Sequence, residues 1–218
     1  MKIDLHVHTS EVSLCGQLPA AEVVRLYKEL GYDGIVVTNH FNRDTAAHHI
    51  RHGVEDFYSF YRRGYELARE EGEKCSLTVL YGFEIRFDEN MNDYLVFGMP
   101  DEAAREWDKL FAMRAKEFSA FANENGYLFY QAHPFRNYMT VTDPKILFGI
   151  ETHNGHPGHD SRNDIASAWA EKYSLHRISG SDCHFAAGAG KAGIIADIPV
   201  KTEAELTELL RNDRYSLI

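Results

Sequence analysis

Two histidines stand one residue apart in "DLHVHT", at the start of a chain of 218 residues. On a strand, residues i and i+2 face the same side, so His6 and His8 converge. The same kind of strand end recurs: His40 in "VTNH", Glu84 in "GFEIRF", His133 in "QAHPF", and Asp182 with His184 in "SGSDCHF". Imidazoles mixed with carboxylates suit zinc, manganese or iron rather than an all-oxygen calcium cage or a thiolate site. A single buried histidine is more often a hydrogen-bonded core residue than a ligand. Several histidines and carboxylates at the ends of apolar strands are another matter. Burying them unpaired would cost several kcal/mol each, and few lysines or arginines flank them. Metal is the simpler reading. The donors exceed what one tetrahedral ion takes, so two or three divalent ions (Mn, Fe or Zn) are expected.

The elements that must carry these residues alternate along the chain. "KIDLHVHT" reads as a strand, and residues 19–30 as an amphipathic helix with proline near its start and Gly31 as its stop. "DGIVVTNH" is the next strand, and residues 54–72 form a helix ending in glycine. "SLTVLYGFEIRF" and "DYLVFGM" are further strands. A long helix carries Trp107, Leu110, Phe111, Phe118, Phe121 and Ala122 on one face and stops at Gly126. Strands follow at "YLFYQAHPF", "LFGIETHN", "LHRISGSDCHF" and "AGIIADIP", with helices near 163–173 and at 202–211. Strands rich in Ile, Val, Leu and aromatics, alternating with helices, predict a mostly parallel sheet covered on both faces, open or closed into a barrel. Residues 41–53 and 154–162 are expected as long loops. Ligands in such folds gather at the carboxyl ends of strands.

Composition narrows the class. With 44% hydrophobic residues, one domain spanning residues 1–218 is expected. The stretch between Glu84 and His133 is filled by a strand and a helix, so no inserted lid domain is expected. The net charge of −10 argues against a long nucleic acid as partner. It permits a small anion, because bound metal inverts the local sign. Cys15, Cys75 and Cys183 form no CxxC pair, which suits a reducing compartment. The opening residues lack an apolar signal core, and no apolar run reaches the roughly 18 residues of a membrane span. A soluble, cytoplasmic protein with no membrane partner is the expectation.

As an ordered set, "DLHVHT", "GYDGIVVTNH", "GFEIRF", "AHPF", "GIETHN" and "SGSDCHF" resemble the motifs of the PHP family (polymerase and histidinol phosphatase domain), relatives of the amidohydrolases. The resemblance covers nearly the whole chain. It implies a distorted seven-stranded (β/α) barrel with a tri-metal centre at the carboxyl ends of its strands. By position it implies that His6 and His8 hold one ion and that Glu84 bridges two. It makes His40 and His133 further ligands, and Asp182 with His184 the closing pair. Three departures stand out. "TNH" replaces the usual "TDH", so Asn39 stands where a carboxylate supports the site. An Asp or His usually follows the first pair. Here the candidates are Glu11, Ser13 and Cys15, and Glu11 is favoured as an anionic oxygen donor. The strand after the glutamate lacks its usual histidine, leaving Asp93 as a surrogate.

Neighbouring ions lower the pKa of a shared water and receive phosphate oxygens. The resemblance implies phosphomonoester hydrolysis, and the donor set suits it. The expected enzyme is a metal-dependent phosphoesterase acting on a nucleotide or a small phosphorylated metabolite, with a metal-held hydroxide attacking. Asp182 would hold an ion and orient that hydroxide, and His184 or His153 would protonate the leaving oxygen. Phosphate is also bound by guanidinium forks, and Arg136, Arg86 and Arg43 each follow a site motif. The cluster His48, His49, Arg51 and His52 reads as a solvated loop or a lid, and Glu151 and Asn154 as supports. The rivals are histidinol-phosphate or protein-tyrosine phosphatase activity, nuclease proofreading, and a non-catalytic metal-binding regulatory module.

Overall fold

The computed structural model describes residues 1–218. Along the chain run β1 (Lys2–Val7), α1 (Ala20–Glu29), β2 (Gly34–Val37), β3 (His40–Phe41), α2 (Arg43–Arg51), α3 (Phe57–Cys75), β4 (Thr78–Tyr81), β5 (Phe83–Arg86) and β6 (Asp93–Phe97). Then follow α4 (Asp101–Ala104), α5 (Trp107–Ala112), α6 (Ala115–Asn125), β7 (Leu128–Gln131), β8 (Gly149–Asn154), α7 (Asn163–Tyr173), β9 (His176–Gly180), β10 (Ile194–Ala196), α8 (Glu203–Arg211) and β11 (Tyr215–Leu217). The expected α/β alternation is present. No helix is long and apolar enough to cross a membrane.

The strands form two sheets, ordered β11-β10-β1-β2-β4 and β3-β5-β6-β7-β8-β9. Two interrupted strands join them. β2 pairs with β4, and β3 with β5, both in parallel. Hydrogen bonds from Gly82 N to Val37 O (3.0 Å) and from Glu84 N to Asn39 O (3.2 Å) carry the ladder across the breaks. At the far side the chain just beyond β9 meets β1 through an isolated parallel bridge between Val7 and Cys183. The sheet is less parallel than the alternation predicts, because β6 is antiparallel to both β5 and β7. The few residues between β5 and β6 are too short for the crossover that parallel pairing requires.

Two expected elements differ. Residues 41–53 do not form a loop: α2 begins where the Asn42 side chain accepts the Thr45 N–H at 2.9 Å, a strong N-cap. The single long helix is two. Met113 and Arg114 are extended, and the Glu117 carboxylate accepts the Arg114 N–H at 2.9 Å, restarting the helix in the manner of a capping box. The apolar stripe survives the break, with Leu110, Phe111, Phe118 and Ala122 all buried.

Aromatic packing fixes the strand pair that bears His40 and Glu84. Phe41 lies 5.1 Å from Phe83 and 4.9 Å from Phe111, ring centre to ring centre. Each such buried ring contributes about 1.5–3 kcal/mol. Tyr61 on α3 donates its hydroxyl to Asn39 O at 2.7 Å, pinning the break between β2 and β3. Close approach matters most at Gly180, where a Cβ would fall 2.4 Å from the His6 Cβ and 3.0 Å from Glu151 Oε1. Only glycine lets β9 lie this close to β1. Gly180→Ala is therefore expected to destabilise the protein by about 1–3 kcal/mol in urea unfolding, and to weaken metal uptake by displacing His6. An unchanged midpoint would refute the packing argument.

Candidate metal centre

Glu84 is fully buried on β5 and faces four imidazoles. Its Oε1 lies 3.2 Å from His6 Nε2 and 3.1 Å from His133 Nε2, and its Oε2 lies 2.5 Å from His40 Nδ1 and 3.5 Å from His8 Nε2. Asp182 completes the group: its Oδ1 is 3.3 Å from His8 Nε2, 3.5 Å from His6 Nε2 and 3.2 Å from His184 Nδ1. Seven side chains from five separate strand ends thus meet in one place. Two of them sit in backbone conformations that residues other than glycine rarely adopt, His133 at φ 28° and Asp182 at φ 50°. Such positions cost about 1–3 kcal/mol each. Glu151 Oε2 holds the first by accepting the His133 N–H at 2.9 Å, and Asn154 Nδ2 donates to Asp182 Oδ2 at 3.2 Å.

The neighbours of these imidazoles dictate which nitrogen is bare. His6 Nδ1 donates to Glu151 Oε1 at 2.9 Å, which turns Nε2 toward Glu84 and Asp182. Around His8 the chain of bonds is longer. Ser13 Oγ donates to Asn39 Oδ1 at 2.9 Å, an oxygen that can only accept, so Ser13 must accept from His8 Nδ1 at 3.0 Å. His8 Nε2 is thereby left bare. Asn39 Oδ1 also accepts the Thr9 N–H at 2.8 Å, so the amide does here what a carboxylate would do. Buttressing of this kind orients imidazoles for metal.

Six atoms of this group are buried with no hydrogen-bond partner: His6 Nε2, His8 Nε2, His40 Nδ1, Glu84 Oε2, His133 Nδ1 and Asp182 Oδ1. Left so, each would cost one to several kcal/mol. Separations of 3.2–3.5 Å between His6, His8, Glu84 and Asp182 match the edge, about 3.3 Å, of a tetrahedron of donors 2.0–2.1 Å from a zinc-like ion. Four overlapping donor groups can be drawn: His6, His8 and Asp182; His6, Glu84 and His133; His8, His40 and His184; and His40, Glu84 and Asp93. The residues fit one or more divalent ions, and the mixed nitrogen and oxygen set suits zinc, manganese or iron.

Of the three candidates after the first pair, Glu11 does not join the group. Its two carboxylate oxygens accept the Ala20 N–H at 2.9 and 3.1 Å, drawn to the unsatisfied amides at the start of α1. Ser13 supports His8. Cys15 is the residue that reaches inward, its Sγ 3.2 Å from His40 Nε2. Burial opposes its thiolate, but hydrogen bonds to His184 and His40 outweigh this and draw the thiol down to about 6. Asp93 approaches His40 and Glu84, but Arg86 Nε and Nη2 engage its two oxygens at 2.8 and 2.9 Å.

A cleft of about 510 Å³ opens over the centre, and Arg86 and Arg136 both line it. Arg43 does not. It is paired with Asp88 and Asp108 outside the cleft. His153 is exposed, its ring 3.5 Å from Asn163 Nδ2, because an irregularity in β8 after Glu151 turns its side chain outward. In its place stand His156 and His159, stacked at 4.3 Å. His159 Nε2 lies 3.6 Å from Asp182 Oδ2 and 3.5 Å from Arg136 Nη1. The tight Pro157–Gly158 turn that folds these two rings together was legible in "HNGHPGHD"; their aim was not. Glu151 and Asn154 are the supports the sequence suggests, while His49 and His52 bond to backbone carbonyls and show no tie to the centre.

The family model for the PHP domain matches residues 4–212. Among solved structures the chain is similar to a two-domain protein of Bacteroides vulgatus, described as containing a predicted PHP-like metal-dependent phosphoesterase, with 21% identity and a TM-score of 0.70. All of this chain is covered but only 64% of that one. It is also similar to PsfC from Pseudomonas syringae, with 17% identity, a TM-score of 0.70, and coverage of 100% and 90% of the two chains. An amidohydrolase from Chromobacterium violaceum, solved with sulfate and no metal, gives 14% identity and a TM-score of 0.53 over 99% and 98%. At these identities the likeness concerns the fold. No curated protein matches the chain in sequence.

Charge within the centre makes metal uptake a proton exchange. Burial opposes the His6 and His40 imidazolium forms, but Asp182, Glu151 and Glu84 around the first and Glu84 beside the second raise both well above the usual value. His184 is raised to about 9 against its burial, mainly by Asp182. The carboxyls of Glu84 and Asp182 are pulled well below their usual range, although burial opposes this, by those same imidazoles. In metal-free protein the raised histidines stabilise fully below about pH 6.5 and lose that contribution as pH rises toward 9, while the carboxylates contribute above about pH 4. Metal-free protein should therefore lose stability from pH 6.5 to 9, and adding Mn²⁺ or Zn²⁺ at pH 7 should release protons and raise the Tm. Calorimetry in buffers of different ionisation heat counts those protons; uptake without proton release would contradict this charge arrangement.

Proposed function

The chain belongs to the PHP domain family and gathers several groups of metal-donor side chains; from that premise we propose that it is a hydrolase of small phosphomonoesters. The observation that carries the reading is one cleft holding both the buried donor cluster and two arginines, Arg86 and Arg136. We read the run β1, β2/β3, β4/β5, β6, β7, β8 and β9, meeting again at the Val7–Cys183 bridge, as a distorted seven-stranded barrel. His6, His8, His40, Glu84, His133, Asp182 and His184 would hold two or more divalent ions, with Cys15 replacing Glu11 as the added ligand. Ions so held supply positive charge for phosphoryl oxygens and lower the pKa of water.

This chain's own residues do the rest. Arg136 lines the cleft with most of its guanidinium uncommitted, and a fork of this kind grips two phosphoryl oxygens. Glu151 and Asn154 hold His6 and Asp182 in register. His159 replaces His153 as the proton donor to the leaving oxygen: it stands at the mouth between Arg136 and Asp182, whereas His184 is turned in toward His40, 3.4 Å between Nε2 atoms. A cleft of about 510 Å³ suits a nucleotide or phosphorylated metabolite better than a polymer, and a net charge of −10 points the same way. Three free cysteines favour a cytoplasmic setting. A closed structural ion site would need only four protein ligands; the surplus of donors favours catalysis over a regulatory module.

A panel of nucleotides, sugar phosphates, histidinol phosphate and phosphotyrosine peptide, assayed with Mn²⁺, Zn²⁺ and Fe²⁺, tests the reading. Turnover of a small ester is expected. Arg136→Ala should raise KM about tenfold or more, and His159→Gln should lower kcat by about 100-fold on alkyl esters and far less on p-nitrophenyl phosphate, whose leaving group needs no proton. Metal-loaded protein that turns over none of the panel would sink the proposal.

A further inference from the structure

We propose that the Arg86 guanidinium, clamped by Asp93, takes the place of a third metal ion, so that the centre works with two divalent ions and one fixed arginine. This rests on the phosphoesterase reading and specifies how that site is charged and where it touches phosphate.

Of the four donor groups, the one formed by His40, Glu84 and Asp93 differs from the others. The first three are built from the side chains that carry unpartnered atoms, together with His184. Asp93 carries none. Both of its oxygens are taken by Arg86, from Nε at 2.8 Å and from Nη2 at 2.9 Å. Asp93 is only 1% exposed, so the pair is an inner feature of the site and not a surface contact. Strand register builds it: Arg86 stands opposite Asp93 across β5 and β6. Arg86 also lies two residues beyond Glu84 on one strand, and so shares its face.

A divalent ion bound at Asp93 would bring a second positive charge within a few ångströms of a guanidinium that stays protonated at any ordinary pH. The repulsion, together with the two Asp93 lone pairs already committed to Arg86, disfavours an ion there. The donor inventory agrees. With Asp93 engaged, five imidazoles, two carboxylates and the Cys15 thiol remain, which is about four donors for each of two ions. Arg86 Nη1 donates to no protein acceptor, and Arg86 lines the cleft shared with Arg136. A phosphoryl oxygen meets there a cation that cannot dissociate, where a bound ion could.

The test is metal content after equilibrium dialysis against excess Mn²⁺ and, separately, Zn²⁺, read by mass spectrometry for the wild type, Arg86→Lys and Arg86→Ala. Two ions per chain are expected in the wild type and in Arg86→Lys, which keeps the charge. Three are expected in Arg86→Ala, where the freed Asp93 carboxylate joins His40 and Glu84. Inorganic phosphate should bind loaded Arg86→Lys about tenfold more weakly than wild type, since lysine lacks the fork. Three ions in the wild type, or two in a folded Arg86→Ala, overturns the proposal. If Arg86→Ala does not fold, the wild-type count and the phosphate affinity of Arg86→Lys decide alone, unchanged affinity counting against it. Three ions with phosphatase activity intact would remove only this inference. One ion or none in the wild type would remove the reading beneath it as well.

Discussion

The structure turns on a contact that is unfavourable as it stands: the carboxylate of Glu84, sealed from water, with four imidazoles closing on it. With every ring neutral and its hydrogen turned away, several of these atoms would meet lone pair to lone pair. A fold tolerates this only if a cation resolves it or if the rings take up protons. The carboxylates favour protonated His6 and His40 when metal is withheld, and a divalent ion taking the same donors would have to displace those protons. Stability, metal affinity and pH response are therefore one property of the centre.

What keeps the donors apart at ligand spacing is a ring of neutral and acidic supports. Glu151 fixes His6 and the His133 backbone together, and Ser13 and Asn39 fix His8 and the His40 backbone together. Each support bridges two strands, so the centre and the sheet constrain each other. The strained backbone at His133 and Asp182 is held by the same groups. Packing contributes from beneath, where aromatic rings on β3, β5, α3 and α5 leave the strands bearing His40 and Glu84 little freedom to shift.

Much of this was legible in the chain. The strand-end donors stand out because apolar strands rarely finish on histidine and carboxylate, and i, i+2 spacing tells which of them share a face. What was hidden depends on competition between neighbours. Glu11 looks like a ligand until the free amides at the start of α1 are seen to claim it. Arg43 looks like a phosphate grip until Asp88 and Asp108, distant in sequence, are found paired with it. His153 has the right chemistry, but a local irregularity in β8 sends it outward, while the turn at Pro157–Gly158 brings His159 to the centre. Asn42 did announce α2 through its capping position, a signal that the run of histidines behind it obscured. The break at Met113–Arg114 was harder, since the apolar stripe runs on across it.

The most direct measurement is an anomalous difference map from crystals grown with Mn²⁺ or Zn²⁺. The account predicts peaks enclosed by the buried imidazoles and flanking Glu84, at about 2.0–2.2 Å from His6 Nε2, His8 Nε2 and the Glu84 and Asp182 oxygens. Density showing those nitrogens and oxygens bonded to one another through protons, with the ions bound elsewhere, would contradict it.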